Sequence, residues 1–144
     1  SASTVRQTFA LKFASASGTF SLDEKITQAS TNAIGKVVEF DSSNNILYYQ
    51  QERHADFGTS STGAYVAFSG ANAVTGATSG ATATPDATAD TAVTLTNGST
   101  ITFTDGYANP ELAFDSGDII YKENRRPITR GTDQTEDIKI IVEF

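Results

Sequence analysis

Apolar and polar residues alternate with a period of two in several short runs of this chain, and no window sustains apolar residues at helical spacing. In "VRQTFALKF", Val5, Phe9, Leu11 and Phe13 share one face while Arg6, Thr8, Ala10 and Lys12 share the other, the pattern of a half-buried strand. "GKVVEF" (35–40) and "ILYYQQ" (46–51) flank Asp41-Ser42-Ser43-Asn44-Asn45, a loop whose residues and length predict a hairpin. Asn97-Gly98 between "AVTL" and "STITF" predicts a second hairpin, because both residues tolerate the positive φ of a tight primed turn. In "ANPELAF", Asn109 suits a helix cap, Pro110 the first helical position and Glu111 the positive end of the dipole, so one helical turn is expected near 109–113. "DIIY" (118–121) and the closing "IKIIVEF" read as strands. In the latter Ile138, Ile140, Val142 and Phe144 share a face, and Ile141 on the other implies partial cover on both sides.

Two stretches modify this all-β picture. "FSLDEKITQASTNA" from Phe20 aligns with "FSGANAVTGATSGA" from Phe68, matching Phe20/Phe68, Ser21/Ser69, Thr27/Thr75, Ala29/Ala77 and Ala33/Ala81, with Ile26/Val74 conservative. A repeat of this kind implies two small β units stacked together because neither buries its own face. Residues 75–92 are almost wholly Ala, Thr, Gly, Ser, Asp and Pro, with little apolar area, and are expected to form a mobile loop or thin edge ribbon. The expected organisation is an antiparallel β-sandwich or barrel-like domain over 1–114 with long loops, a mobile segment at about 75–92 and at most a helical turn near 109–113. A strap and terminal strand over 115–144 are expected to pack on the same domain.

Composition narrows the chemistry. A single domain of 144 residues buries roughly 68% of the surface of its unfolded chain, enough for a core without staples. There is no Cys and one His, His54, which removes disulfides, thiolate metal sites and imidazole-rich metal sites. No apolar run approaches the roughly 20 residues of a membrane span, and no signal-peptide pattern opens the chain, which reads as soluble and, starting at Ser1 without Met, as a fragment of something longer. The net charge of −7 argues against a nucleic-acid partner. Between Arg53 and Lys122 there is no Lys or Arg, while Asp56, Asp86, Asp90, Asp105, Glu111, Asp115 and Asp118 supply seven acids. The rest of the chain balances ten acids against ten bases, so an acidic middle is followed by a mixed-charge ending.

Candidate catalytic and ligand motifs fail on their context. Asp56-Phe57-Gly58 spells a kinase metal-binding triplet without the loops and lysine that accompany it. Gly70, Gly76 and Gly80 fit neither dinucleotide nor P-loop spacing. Glu52, His54 and Asp56 alternate along one extended face, but a single imidazole closes no metal shell, and a solvated strand edge explains them equally well. Asn97-Gly98-Ser99 matches a glycosylation acceptor and reads as the hairpin turn. Asp118, Glu123, Asp133, Glu136 and Asp137 lie among Arg125, Arg126, Arg130 and Lys139, and neutralised carboxylates make poor general acids. No catalytic residue, metal or cofactor is expected.

The charged ending has interface chemistry instead. Pro127 fixes its own φ and biases Arg126 toward extended backbone, so "ENRRPITR" is expected to run extended. Asp133 followed by Glu136 predicts a capped turn before the last strand. Arginine pairs with carboxylates in a bidentate, weakly hydrated fork suited to protein contacts.

"SGDIIYKENRRPITRGTDQTEDIKIIVEF", 116–144, closely resembles the C-terminal end of the baseplate wedge subunits (gene product 8 class) of T-even-type contractile-tailed phages. The resemblance is carried by Ser116, Gly117, Tyr121, Glu123, Asn124, Arg125, Pro127, Asp133, Gln134, Thr135 and Glu136 and by the final apolar strand. "GYANPELA", 106–113, looks like the cyanophage branch of that family. The resemblance implies a non-enzymatic baseplate component of the virion tail, a homodimer assembled in the host cytoplasm that holds neighbouring wedge proteins together. The expected interface comprises Tyr121, Glu123, Asn124, Arg125, Arg126, Pro127, Arg130, Asp133, Gln134, Thr135 and Glu136, with no nucleic-acid or membrane partner. The alternative is a carbohydrate- or receptor-contacting β module of a tail or fibre, with Tyr48, Tyr49, Tyr65 and Tyr107 as aromatics in a groove.

Overall fold

A computed structural model of the chain describes residues 6–51, 65–87 and 90–112, and every regular element among them is a strand. In chain order these are β1 (Phe9–Ser17), β2 (Lys25–Gln28), β3 (Ala33–Asp41), β4 (Ile46–Gln50), β5 (Val74–Gly76), β6 (Thr82–Pro85), β7 (Thr91–Thr94), β8 (Thr100–Phe103) and β9 (Tyr107–Ala108). The large sheet runs β4-β3-β2-β5-β6-β1-β9, and β4 also pairs with β1, so six antiparallel strands close into a barrel. Closure removes the free edges that an open sheet would present. β1 makes it possible by being long and irregular. Its residues 9–12 pair with β4, while Phe13, Ala16 and Ser17 pair with β6 across a register shift. The all-β, antiparallel, barrel-like expectation is what the structure shows.

Alternation along the strands fills the barrel. Phe9, Leu11 and Phe13 of β1, Ile26 of β2, Val37 of β3, Leu47 and Tyr49 of β4 and Val74 of β5 point inward with Phe20 and Phe68. Phe9 stacks on Tyr49 at 5.3 Å between centroids, and Tyr49 meets Phe68 edge-on at 4.9 Å. Burial of each large side chain contributes roughly 1.5–3 kcal/mol. Ala10, on the face expected to look outward, is fully buried. The β7–β8 hairpin lies over the outside of the barrel there, and Ala10, Ile46, Ile101, Phe103 and Ala108 make a second small core.

The β3–β4 hairpin forms as predicted, with Asp41 opposite Ile46. The Asp41 carboxylate accepts the Ser43 and Asn44 amides and the Asn44 side chain, and Asn45 takes φ 53°. The β7–β8 hairpin also forms, pairing Thr94 with Thr100. Its turn differs from the primed one expected. Gly98 has φ 82°, but Asn97 is not among the residues of positive φ, and its side-chain oxygen accepts the Ser99 amide. Leu95 accepts from Gly98 N, and Leu95 N donates to Ser99, so the loop is a β-turn followed by a left-handed glycine.

Two further expectations are corrected, and one turn is added. Residues 75–92 are not one loop, because β6 and parts of β5 and β7 fall within them, and β6 sits between β5 and β1 in the barrel wall. Ala81, Ala83 and Pro85 are buried there, small because the rings of Phe13, Phe20 and Phe68 already occupy the lumen. The primed turn of the chain is Asp105-Gly106, with φ 52° and 82°, which links β8 to β9 through paired bonds between Thr104 and Tyr107. No helical turn forms at 109–112. Glu111 N donates instead to the Arg6 carbonyl at 2.8 Å.

The repeat has a structural counterpart. β2 pairs antiparallel with β5, and Thr27 lies directly opposite its repeat mate Thr75. The mates Phe20/Phe68, Ile26/Val74 and Ala33/Ala81 are all buried in the same core. Two β units are thus stacked edge to edge about a local two-fold.

Candidate interaction surface

Beside the β7–β8 hairpin, where it overlies the barrel, an open cleft of about 370 Å³ separates it from the outer face of β3 and β4. Val38, Glu39 and Tyr48 form one wall, and Leu95, Asn97, Ser99 and Ile101 form the other. Strand parity places Val38 and Tyr48 in the first wall, and a register shift of β3 against β4 between Val37 and Glu39 turns Glu39 outward as well. Val37 enters the barrel, so Val38, its neighbour, faces out and is 41% exposed. Tyr48 faces out for the same reason between Leu47 and Tyr49. Burial, reinforced by Asp41 and Glu39, pushes the Tyr48 phenol above its ordinary value, so it remains protonated.

Arg6 and Thr8 complete the lining. The Arg6 guanidinium donates to the carbonyls of Thr8 and, at 2.7 Å, Asn109. Its backbone grips the segment after β9: Arg6 N donates to the Glu111 carboxylate at 3.2 Å, and Glu111 N and Leu112 N donate to the Arg6 carbonyl. Burial lowers the Arg6 pKa, against the raising influence of Glu111 and then Tyr48 and Tyr49, but arginine remains a cation at neutral pH. Its Nε is buried without a hydrogen-bond partner. Among the described residues the ion pair within 4 Å is Lys36–Asp23, so no described carboxylate closes on the Arg6 guanidinium.

Of the large apolar side chains most exposed among the described residues, Val38 lines the cleft, while Leu22 and Leu112 are not among its lining residues. Leu112 is tied to Arg6, and Leu22 precedes Asp23, whose amide donates to the Val37 carbonyl. Sequence reasoning missed the cleft because residues 6, 38, 48 and 95–101 share no local pattern. The one available signal was the Val37-Val38 pair, since two adjacent valines on a strand leave one outside.

The four tyrosines expected to line a sugar groove do not converge. Tyr49 is buried against Phe9 and Phe68, Tyr65 packs edge-on to Phe9, and the Tyr107 hydroxyl donates to the Gly70 carbonyl at 2.6 Å. Tyr48 alone lines the cleft. No cluster of three or more His, Asp or Glu positioned for a metal occurs among the described residues. Glu52, His54 and Asp56, with the Asp56-Phe57-Gly58 triplet, lie outside them. So do Tyr121, Glu123, Asn124, Arg125, Arg126, Pro127, Arg130, Asp133, Gln134, Thr135 and Glu136, and the acids and strands predicted from 115 onward. No helix among the described residues is long and apolar enough to cross a membrane.

The described residues thus form a closed β barrel with an outer cleft lined by both polar and apolar side chains. Residues 72–144 match the family model described as Bacteriophage T4, Gp8, and the chain belongs to that family. It is a phage baseplate wedge structural protein by that membership. The matched stretch takes in β5 to β9 and the whole charged ending, whereas β1 to β4 precede it. No curated protein and no solved structure matches the chain at a significant level.

Proposed function

We propose that this chain is a non-enzymatic wedge component that holds neighbouring baseplate proteins together, and that residues 121–136 form its principal interface. The observation that carries the reading is the family match, which runs to the last residue and so includes the charged strap. The strap contributes Arg125, Arg126 and Arg130 among Glu123, Asp133 and Glu136, with Pro127 favouring extended backbone and Tyr121, Asn124, Gln134 and Thr135 adding polar contacts. The reading includes a homodimer, assembly in the host cytoplasm into the virion tail and, from 106–113 and 116–144, kinship with the cyanophage branch. Residues 115–144 pack on the β domain, which fixes the strap for its partners.

Replacing a surface arginine that touches nothing changes stability by under about 0.5 kcal/mol. Truncating one partner of a buried interfacial charge pair costs roughly 2–5 kcal/mol of binding. Arg126→Ala with Arg130→Ala is therefore expected to melt like the parent and to join wedge assemblies poorly. Arg125 is kept out of the pair because it also suits an internal clasp to Asp133 or Glu136. Melts of each variant beside reconstitution with the other wedge proteins test this. A double variant that assembles like the parent places the interface elsewhere, and one that unfolds makes the strap internal.

A further inference from the structure

The cleft between the β7–β8 hairpin and the outer face of β3 and β4 has a chemistry that specifies its occupant. Arg6 is the one cation among its described lining residues, and no described carboxylate lies within ion-pair distance of the guanidinium. Two of its nitrogens each donate to a single backbone carbonyl, and the third is buried without a partner. Burial already bears on this cation. A neutral apolar group filling the cleft would strip the remaining water from it and leave Glu111, which acts on the guanidinium from beyond ion-pair distance, as its one described carboxylate neighbour, which is unfavourable. The apolar walls, Val38, Leu95 and Ile101 with the ring of Tyr48, meanwhile call for an apolar side chain. Glu39 is exposed at the rim and so stays hydrated, a weaker repulsion than the attraction at the base.

We infer that this cleft is a second docking site, which takes a segment of a neighbouring baseplate protein carrying a carboxylate next to an apolar side chain. The carboxylate reaches the Arg6 guanidinium, and the apolar side chain packs against Val38, Tyr48 and Ile101. The inference rests on the wedge-assembly reading but uses none of the strap residues. An arginine of such a site, half-buried and preorganised by its own backbone carbonyl bonds, is the kind of group that dominates interface energetics.

The test is site-specific photo-crosslinking in the full chain, with Val38 replaced by p-benzoylphenylalanine, irradiated after reconstitution with the purified wedge proteins of the same phage. The expected product is an adduct on one of those proteins, in a peptide that contains Asp or Glu. Changing that acid to its amide is expected to weaken association at least tenfold. Val38→Asp, which places a like charge at the mouth, is expected to do the same with an unchanged melting temperature. Adducts confined to this chain's own residues 113–144, to a second copy of it, or to a peptide without an acid would overturn the site, as would no adduct at all. A parent chain that joins no wedge protein would overturn the assembly role as well. Loss of assembly by the Arg126/Arg130 variant alone bears on the strap and leaves the cleft standing.

Discussion

Glu24 is buried, its carboxylate set against Ser21 and the turn at 77–80, with no described lysine or arginine within 4 Å. Backbone and hydroxyl donors compensate the charge instead: the amides of Ser21, Thr78 and Ser79 at 2.6, 3.0 and 2.9 Å, and the Ser79 hydroxyl at 2.7 Å. Burial pushes the pKa up, but the hydrogen bonds together outweigh it and the net direction is down. Gly76 is required by this arrangement for space, since a Cβ there would lie 2.7 Å from the Glu24 carboxylate. Because the folded value is lowered, the stabilisation is present above the ordinary value of 4.5 and is lost as pH falls through the folded value. Asp41, held down by Asn44 and Ser43, acts in the same direction. Glu24→Gln turns amide donors toward backbone donors and is expected to cost about 2 kcal/mol at pH 7. Urea unfolding from pH 7 to pH 3 is expected to show the gap to the parent narrowing with acid; a constant gap would mean that the charge plays no part. Nothing within "LDEKIT" tells its two acids apart, yet Asp23 is exposed beside Lys36 and Glu24 is buried. What buries Glu24 is its parity with Ile26 and the turn at 77–80, whose Thr78 and Ser79 are 54 and 55 residues away in sequence and leave no local trace.

At the scale of elements, residues rich in large alternating side chains were legible and small ones were not. β1, β3 and β4 announce themselves because Phe, Leu, Val and Tyr alternate with polar residues. β6, "TATP", buries Ala83 and Pro85 on the same parity, but the apolar contrast with threonine is too slight to stand out. Its burial depends on rings contributed by β1 and by the segments around Phe20 and Phe68, so nothing within 82–85 reveals it. Asp105-Gly106 was a readable turn signal, flanked by "ITFT" and "YA", and Gly106 is irreplaceable there: at φ 82° a Cβ would lie 2.9 Å from Asp86 backbone atoms. The small lumen residues on β6 lead to a test. Ala83→Leu forces three extra carbons against the packed core, and overpacking typically costs about 1–3 kcal/mol. The variant is expected to unfold at lower denaturant by that amount, while the amide of Ala83 in the parent exchanges far more slowly than that of Asn97 in the hairpin loop. Tolerance of leucine together with fast exchange at Ala83 would restore the loop reading for this stretch.

At the scale of the molecule, the barrel closes within the first three quarters of the chain. Every strand of the ring, β1 to β6, and the hairpin that covers its outer face lie before Leu112. Among the described residues, the two cores draw on strands throughout this span. Stability and assembly are therefore separable along the sequence if residues 115–144 serve mainly as a strap. A chain ended after Phe114 is expected to keep the closed ring, all six strands of which lie among the described residues. We expect it to remain a cooperative β protein, destabilised by less than about 3 kcal/mol, which for a domain of this size lowers Tm by no more than about 10 °C. Reconstitution with the other wedge proteins is expected to fail, since the strap with Arg125, Arg126 and Arg130 is gone. Circular dichroism melts beside sedimentation of the reconstituted wedge distinguish the outcomes. A truncated chain with no cooperative melt would make the terminal strand part of the folding unit, and one that still assembles would shift the weight of the interface to the cleft at Arg6.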